Sequence, residues 1–251
     1  MRRRRCLSIW SSAKSNRRRY CGSDSIATDI TEYNVNIAVE PLPQRIEIVA
    51  VDDAYVIVVK PSGLLSVPGR GPDKKDCLSA RVQAEFSDAL VVHRLDMETS
   101  GLMVFARGID AQRAISRSFE QRTVCKHYVA VTCGLIADDA GTINLPLICD
   151  WPNRPRQMVD HTIGKPATTH FIVLARDALL QRTRVGLTPI TGRSHQLRVH
   201  LASLGHPIIG DSLYALAPPV AGDRLMLHAA KLGFPHPGSG VLCEFSSAVP
   251  F

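Results

Sequence analysis

The chain has 251 residues, 45% of them hydrophobic, which is enough to bury one sizeable core without a second domain. No uninterrupted apolar run approaches the roughly 18 residues that a membrane-spanning helix needs, so we expect a soluble protein. The seven cysteines are scattered, odd in number and without a C-x-x-C pair; this pattern argues against a zinc site and a disulfide framework, and it favours a reducing cytoplasm.

The positive charge is concentrated at the N-terminus. The net charge is +7, but eight of the 30 Lys and Arg residues, and no acid, lie within residues 1–23. The remaining 22 bases face 23 acids, so bulk charge alone does not indicate a nucleic-acid-binding protein. We expect residues 1–45 to form a disordered, basic tail, although an Arg- and Ser-rich leader without acids also resembles an organelle transit peptide.

From residue 46 the pattern becomes that of a globular domain. The segment IEIVAVDDAYVIVVKPSG has two apolar runs around a pair of aspartates, which is typical of a β-hairpin. Leu78, Val82 and Phe86 are spaced four residues apart and predict a helix.

The next segment, VVHRLDMETSGLMVFAR, places charged residues inside an apolar run. It predicts the strands VVHRL and LMVFA joined by a polar turn, so His93, Arg94 and Asp96 are either a structural ion cluster or parts of a functional site. A second helix and the strand HYVAVTCG follow. The helix has a buried stripe of Ala111, Ala114, Ile115, Ser118 and Phe119.

The second half begins with the proline-rich segment LPLICDWPNRPRQ. Its prolines predict an ordered loop or binding loop without a regular element. The strands ATTHFIVLA and RTRVGLTPI follow, and then a helix that Ser194 can cap and that Gly205 ends. The apolar stripe of this helix consists of Leu197, Leu201 and Leu204.

The order of mostly strands with a few helices predicts an α+β domain on a mixed, largely antiparallel sheet. His195 and His200 are the nearest histidine pair on one predicted helix. Five residues apart, they do not share a helical face, so we interpret them as polar or capping residues rather than metal ligands.

Asp96 is the first candidate for chemistry, because it ends a predicted strand and begins a turn. Arg198, at the edge of the last apolar stripe, can reach inward to pair with it. Such a pair would keep Asp96 ionised and oriented, as a nucleophile or a base requires. An ordinary structural ion pair explains the same two residues, and on the residues alone it is the more common case.

The segment HRLDMETSG resembles the H-R-L-D-x-x-T-S-G signature of the RluA family of pseudouridine synthases. The segments KPSG, KHYVA, GKPATT, TGRSHQLRVH and GHPIIGD resemble further blocks of that family, in the expected order. The resemblance covers roughly residues 47–250. It implies a pseudouridine synthase catalytic domain over residues 46–251, with a bent, mixed sheet flanked by helices and loops.

The resemblance implies an isomerase that converts uridine in RNA to its C-glycoside without a cofactor or a metal. The catalytic aspartate of the family falls on Asp96, its active-site tyrosine on Tyr128 and its aspartate-pairing arginine on Arg198. The arginine that displaces the target base falls on Arg94. Tyr128 could stack on the uracil and assist loss of the proton from carbon 5; without the family, a half-buried strand tyrosine is the simpler interpretation.

The RNA target is a separate question. Arg193, Arg154 and Arg156 are candidate phosphate contacts, although solvated surface arginines are common. The proline-rich loop is similar to a branch of the family that acts on both tRNA and large-subunit rRNA, which implies uridine 32 of the tRNA anticodon loop and uridine 746 of a 23S rRNA hairpin as targets. The sequence identifies no protein partner.

Three alternatives remain open. The same reaction could act on a different tRNA or rRNA uridine. A non-catalytic RNA-binding relative would keep the arginines but has no need of Asp96 and Tyr128 together. A nucleoside hydrolase or glycosylase would also use a carboxylate at the sugar, but it would admit water.

Overall fold

The computed structural model describes residues 45–71, 74–215 and 224–251. All of these belong to one compact unit, residues 37–251. The predicted basic tail lies outside the described residues except for its last residue, Arg45, so that domain assignment stays a prediction. None of the described helices is long and apolar enough to cross a membrane.

Within the described residues, ten strands form one sheet, and two further strands form a small separate one. The strands are β1 (Glu47–Val51), β2 (Tyr55–Lys60), β3 (Ala89–Val91), β4 (Ser100–Arg107), β5 (Cys125–Cys133), β6 (Ala140–Asn144), β7 (Leu147–Cys149), β8 (Gln157–Val159), β9 (Thr168–Asp177), β10 (Arg182–Pro189), β11 (Leu227–Pro235) and β12 (Leu242–Ser246). The helices are α1 (Leu78–Glu85), α2 (Ile109–Glu120) and α3 (Gln196–Ser203).

The large sheet is mixed but mainly antiparallel. Its order is β1-β2-β4-β11-β5-β10-β9-β6, with β3 beside β4 and β12 beside β11. Only the pairing of β4 with β11 is parallel among the strand pairs of the described chain. The predicted α+β class is therefore confirmed.

Successive side chains of β2 and β4 point to opposite faces of the sheet, and a helix covers each face. Ile57, Leu102 and Val104 pack with α2 on one face, whereas Val58 and Met103 pack with α1 on the other. Farther along the sheet, α3 packs its apolar residues against β5 and β10. The first hairpin and all three predicted helices are thus confirmed.

Gly101 allows β4 and β11 to approach closely. Its φ is +116°, and a Cβ at this position would lie 2.4 Å from the carbonyl oxygen of Ala229. Any other residue would push the two strands apart where they pair, directly after the turn that holds Asp96.

The predicted strand VVHRL, residues 91–95, overlaps the observed strand only at Val91, because β3 runs from Ala89 to Val91. Nε2 of His93 accepts the backbone N–H of Val104 at 3.0 Å, so a side chain replaces the next ladder hydrogen bond. The ring also stacks on Phe119, with 4.7 Å between centroids. Arg94 and Asp96 therefore lie on a loop, and the prediction that they share a strand was wrong.

The proline-rich segment contains a regular element, contrary to prediction. β7 and β8 pair antiparallel from Leu147 opposite Val159 to Cys149 opposite Gln157. Pro152 and Pro155 lie in the connecting turn, where no ladder hydrogen bond is lost. The count of prolines was therefore a poor guide, since their positions rather than their number decide whether strands can pair.

The start of α3 also differs from prediction. The N-cap is His195, in the left-handed conformation with φ of 53°, and no side chain caps the helix. Ser194 does not cap it. At the other end Gly205, with φ of +82°, follows the helix as expected, but Leu204 is 42% exposed and does not extend the buried stripe.

Candidate active site

The predicted site residues meet in a cleft beside the loop that precedes β4. The cleft has a volume of about 280 Å3, and its walls come largely from residues 93–99 and 189–198. Five of the seven predicted site residues line it. These are Arg94, Asp96, Tyr128, Arg193 and Arg198.

Asp96 presents its carboxylate to the cleft between two basic side chains. Oδ2 lies 3.6 Å from Nη1 of Arg198, and Oδ1 lies 4.0 Å from Nε2 of His195. The side chain is 28% exposed, so a nucleotide in the cleft can reach it. The predicted pairing of Asp96 with Arg198 is present as an ion pair, although it is longer than a hydrogen bond.

Two other carboxylates hold Arg198 more tightly. Its Nε and Nη2 donate to Asp211 at 2.8 and 2.7 Å, and Nη2 also donates to Glu98 at 2.9 Å. Burial by itself would lower the pKa of Arg198, but the hydrogen bonds and charge of Asp211, with the charges of Asp96 and Glu98, raise it above its usual value. The guanidinium is therefore charged and fixed in place before a substrate binds.

Asp211 is a site residue that the sequence reasoning missed. It is fully buried, and its Oδ1 also accepts the backbone N–H groups of Leu213 and Tyr214 at 2.9 and 3.0 Å. A buried carboxylate needs such partners. Its only signal in the sequence was its place at the end of the segment GHPIIGD.

His195 connects Asp96 to the β7–β8 hairpin, a role that its interpretation as a polar or capping residue missed. Its Nδ1 lies 2.8 Å from the hydroxyl of Tyr214, which accepts the backbone N–H of Gln157 at 2.7 Å. The hydroxyl can then give its own proton to Nδ1, which leaves the imidazole proton on Nε2, facing Asp96. Burial lowers the pKa of His195 even though the Asp96 charge opposes that shift, so the ring is neutral at pH 7.

Tyr128 reaches the same cleft from β5. It packs against the apolar clusters that contact α1 and α3. Burial, and then the Asp96 carboxylate, raise the pKa of the Tyr128 hydroxyl, which is therefore protonated at neutral pH. The ring can stack on a base, and its proton becomes easier to remove once the charge on Asp96 is consumed.

Lys60, in the segment KPSG, supports the turn that follows Asp96. Its buried ammonium donates to the carbonyl oxygens of Pro61, Leu64 and Met97 at 2.8, 2.6 and 2.7 Å. Burial lowers the pKa of Lys60 to about 7, while the Asp96 charge opposes that shift. The three carbonyls use all three ammonium protons, so this geometry fits the charged form and ties the Asp96 turn to β2.

Two of the predicted RNA-binding arginines flank the cleft. Arg94 is exposed, and no acid within the described ranges pairs with it. Arg193 donates from Nε to the carbonyl oxygen of Pro166 at 3.2 Å and remains half-buried. Arg94 is thus free to swing toward a substrate, whereas Arg193 is partly tethered.

The other two, Arg154 and Arg156, lie outside the cleft on the turn between β7 and β8. The guanidinium of Arg154 lies 4.6 Å from the ring centroid of Trp151, and that of Arg156 lies 5.4 Å from the ring centroid of Tyr214. Both arginines are exposed. These two arginines therefore lie on a second surface. Tyr214 connects that surface to the cleft, because it contacts both Arg156 and His195.

The arrangement suits chemistry at a sugar carbon. No group of three or more His, Cys, Asp or Glu side chains within residues 45–71, 74–215 and 224–251 could hold a metal ion. The Asp96 carboxylate, the fixed Arg198 guanidinium and the ring of Tyr128 share one cleft. Together they can attack or deprotonate a ribose and hold a detached planar base.

Comparison with protein families agrees with this chemistry. The family model described as RNA pseudouridylate synthase matches residues 54–203, a range that contains Asp96, Tyr128 and Arg198. That range is more than half of the chain.

Individual proteins match over most of the chain. The dual-specificity RNA pseudouridine synthase RluA of Pasteurella multocida is 49% identical over 214 residues, which cover 84% of this chain and 96% of that protein. The protein of the same name from Escherichia coli strain K12 is 48% identical over 201 residues, covering 80% and 91%. The solved structure of human RNA Pseudouridylate Synthase Domain Containing 1 has a TM-score of 0.70 and 29% identity, covering 84% and 87%.

Proposed function

This chain belongs to the RNA pseudouridylate synthase family, and from that premise we propose that it is a dual-specificity enzyme acting on tRNA and on large-subunit ribosomal RNA. The reaction itself, isomerisation of uridine to pseudouridine in RNA, follows from the family. The observation that carries the dual specificity is the 46 to 51% identity with relatives that bear this description. The proposed targets are uridine 32 of the tRNA anticodon loop and uridine 746 of 23S rRNA.

Asp96 begins the reaction in this proposal. Either Oδ1 or Oδ2 bonds to carbon 1 of the ribose while the bond to uracil nitrogen 1 breaks, or the carboxylate removes a proton from carbon 2 of the ribose. Both routes release the uracil as an anion, which rotates and bonds to carbon 1 of the ribose through its carbon 5. In the first route the ester bond to Asp96 breaks in that step, and in the second Asp96 returns the proton to carbon 2 of the ribose. The support is the exposed carboxylate beside a guanidinium that Asp211 already holds in place.

Tyr128 and Arg198 complete the site. The ring of Tyr128 stacks on the uracil, and its hydroxyl assists removal of the proton from carbon 5, while nitrogen 1 gains a proton, so the atoms balance. Arg198 keeps the carboxylate oriented, at 3.6 Å from its Nη1. Because the uracil stays bound throughout, the cleft must exclude water, which a hydrolase would admit.

The base reaches Asp96 by leaving the RNA stack. Arg94 is exposed, lies on the cleft wall and has no competing acid among the described residues. It can therefore occupy the space that the flipped nucleotide leaves. Arg193 contributes a phosphate contact beside it.

The β7–β8 hairpin supplies a further RNA contact. Trp151 is 66% exposed and lies under the guanidinium of Arg154. An exposed aromatic ring beside cations is a platform on which a nucleotide base can stack. Arg156 lies over Tyr214 and links this platform to the cleft.

The test is to map pseudouridines in tRNA and in 23S rRNA from a strain that lacks this protein. Loss at both proposed uridines, with restoration by the wild-type gene, is the expected result. Loss of pseudouridine at a different position would identify that uridine as the target instead. In a purified reaction the RNA mass stays unchanged and no uracil is released; free uracil would indicate a glycosylase instead.

A further inference from the structure

A second groove begins where the catalytic cleft ends. It has a volume of about 580 Å3 and runs between β5, β10, β11 and β12. Lys126 and Pro189 line both the groove and the catalytic cleft. The two depressions therefore form one continuous track across the sheet.

The charged side chains on the wall of this groove are mainly basic. Among the described residues, Arg122, Lys126 and Lys231 line it beside His127, and Glu244 is the one acid. No ion pair joins Glu244 to a base within the part of the chain that the structure describes. The groove thus holds an uncompensated positive charge.

The bases also lie close to one another. Lys231 stands directly opposite His127 on the neighbouring strand. Burial, and then the charge of Lys231, lower the pKa of His127; burial, and then the charge of Arg122, lower the pKa of Lys126. Neighbouring positive charge therefore adds to burial in disfavouring the charged forms of His127 and Lys126, and a bound anion would offset it.

We propose that this groove binds the phosphate backbone of the RNA stem that flanks the target uridine. The proposal rests on the proposed function, and it extends that function beyond the cleft. An RNA strand whose flipped base lies at Asp96 must leave the cleft, and the track past Lys126 offers it a cationic path. The bases line an elongated groove rather than a single pocket, so they fit a chain of phosphates better than one small anion.

The test compares binding of two RNAs to the full chain. One is a hairpin that carries the target uridine in its loop; the other is a three-nucleotide RNA with the same uridine, which fills only the cleft. Arg122→Ala and Lys231→Ala are made singly and together. Arg113→Ala is the control, because Arg113 lies on α2, is 70% exposed and lines neither the cleft nor the groove.

The double variant is expected to bind the hairpin more weakly at low salt. The slope of log affinity against log salt concentration should fall by roughly 1.4 to 1.8, since each phosphate contact contributes about 0.7 to 0.9. The turnover rate at saturating hairpin, the affinity for the short RNA and the behaviour of Arg113→Ala should stay at wild-type values. Lys231→Arg should retain wild-type binding, because it keeps the charge.

Unchanged hairpin affinity and salt slope in the double variant would overturn the proposal. An equal loss with the short RNA would also overturn it, because the effect would then belong to the cleft. The function is tested separately, by whether the wild-type protein forms pseudouridine in the same hairpin. A wild-type protein that binds through the groove but forms no pseudouridine would contradict the proposed target and not the groove.

Discussion

Arg198 binds Asp211 through two parallel hydrogen bonds of 2.8 and 2.7 Å, whereas its nearest approach to Asp96 is 3.6 Å. The residue that fixes the guanidinium is therefore not Asp96, the proposed catalyst. This division leaves Asp96 with an oriented cation beside it and with room to move onto a substrate. Five predictions can be tested besides that of the groove.

Asp96→Asn should abolish pseudouridine formation while the affinity for RNA persists. The substitution removes the reactive carboxylate and keeps the size of the side chain. Turnover is measured by pseudouridine content, and affinity by equilibrium binding of the hairpin. Asp110→Asn is the control, because that carboxylate is 94% exposed on α2; residual turnover above a few per cent of wild type in Asp96→Asn would rule Asp96 out as the central catalyst.

Arg198→Ala should both slow the reaction and destabilise the fold. It leaves the fully buried Asp211 without its cation, and breaking a buried pair costs about 3 to 5 kcal/mol of unfolding free energy. Denaturant unfolding and turnover are measured together. Normal turnover in a folded Arg198→Ala protein would refute the role of the pair.

Asp211→Asn separates the effect of the Arg198–Asp211 pair on turnover from its effect on the stability of the fold. The amide oxygen of the new side chain can still accept one hydrogen bond from Arg198, so most molecules of the variant should fold. The kcat should fall roughly 10- to 100-fold, because a hydrogen bond to a charged group contributes about 1.5 to 3 kcal/mol. The hairpin affinity should remain unchanged.

Tyr214→Phe should lower kcat by roughly 2- to 10-fold, because one hydrogen bond contributes about 0.5 to 1.5 kcal/mol. The lost hydroxyl joins the backbone N–H of Gln157 to His195, and His195 faces Asp96. The control is Tyr55→Phe, whose hydroxyl contacts Cys243 outside the cleft. Equal rates for the two variants would show that the His195 contact does not position Asp96.

His93 makes stability depend on pH. Burial lowers the pKa of His93 from 6.5 to about 3, so the unfolded chain binds its proton first on acidification. The stability that the neutral ring contributes is full above about pH 6.5 and is lost as pH falls toward about 3. In His93→Gln, whose amide oxygen can still accept the N–H of Val104, the free energy of unfolding should fall less steeply across this window.

His228 titrates in the same range, since burial and then the charge of Arg224 lower its pKa to about 4. Only the difference between wild type and His93→Gln therefore reports on His93. Parallel curves for the two proteins between pH 6.5 and 3 would contradict the assignment.

Local patterns were sufficient for most elements. The apolar spacing of Leu78 and Val82 predicted α1, and apolar segments predicted most strands of the large sheet, but not β6, β11 or β12. The positions at which elements begin and end were harder to predict. Pro152 and Pro155 stand in a hairpin turn rather than in a strand, and a side-chain hydrogen bond to His93 ends β3 early.

The sequence by itself determined the chemistry, because Asp96, Tyr128 and Arg198 stand in ordered segments that resemble one family. Only the tertiary structure decided which residues hold these side chains in position. Arg198 donates hydrogen bonds to Asp211 and to Glu98, which lies 100 residues away in the sequence. Lys60, at the end of β2, donates to the carbonyl oxygen of Met97 in the turn beside Asp96. Such contacts leave no periodic signal, since they depend on which loops the folded sheet brings together and on the need of every buried charge for a partner.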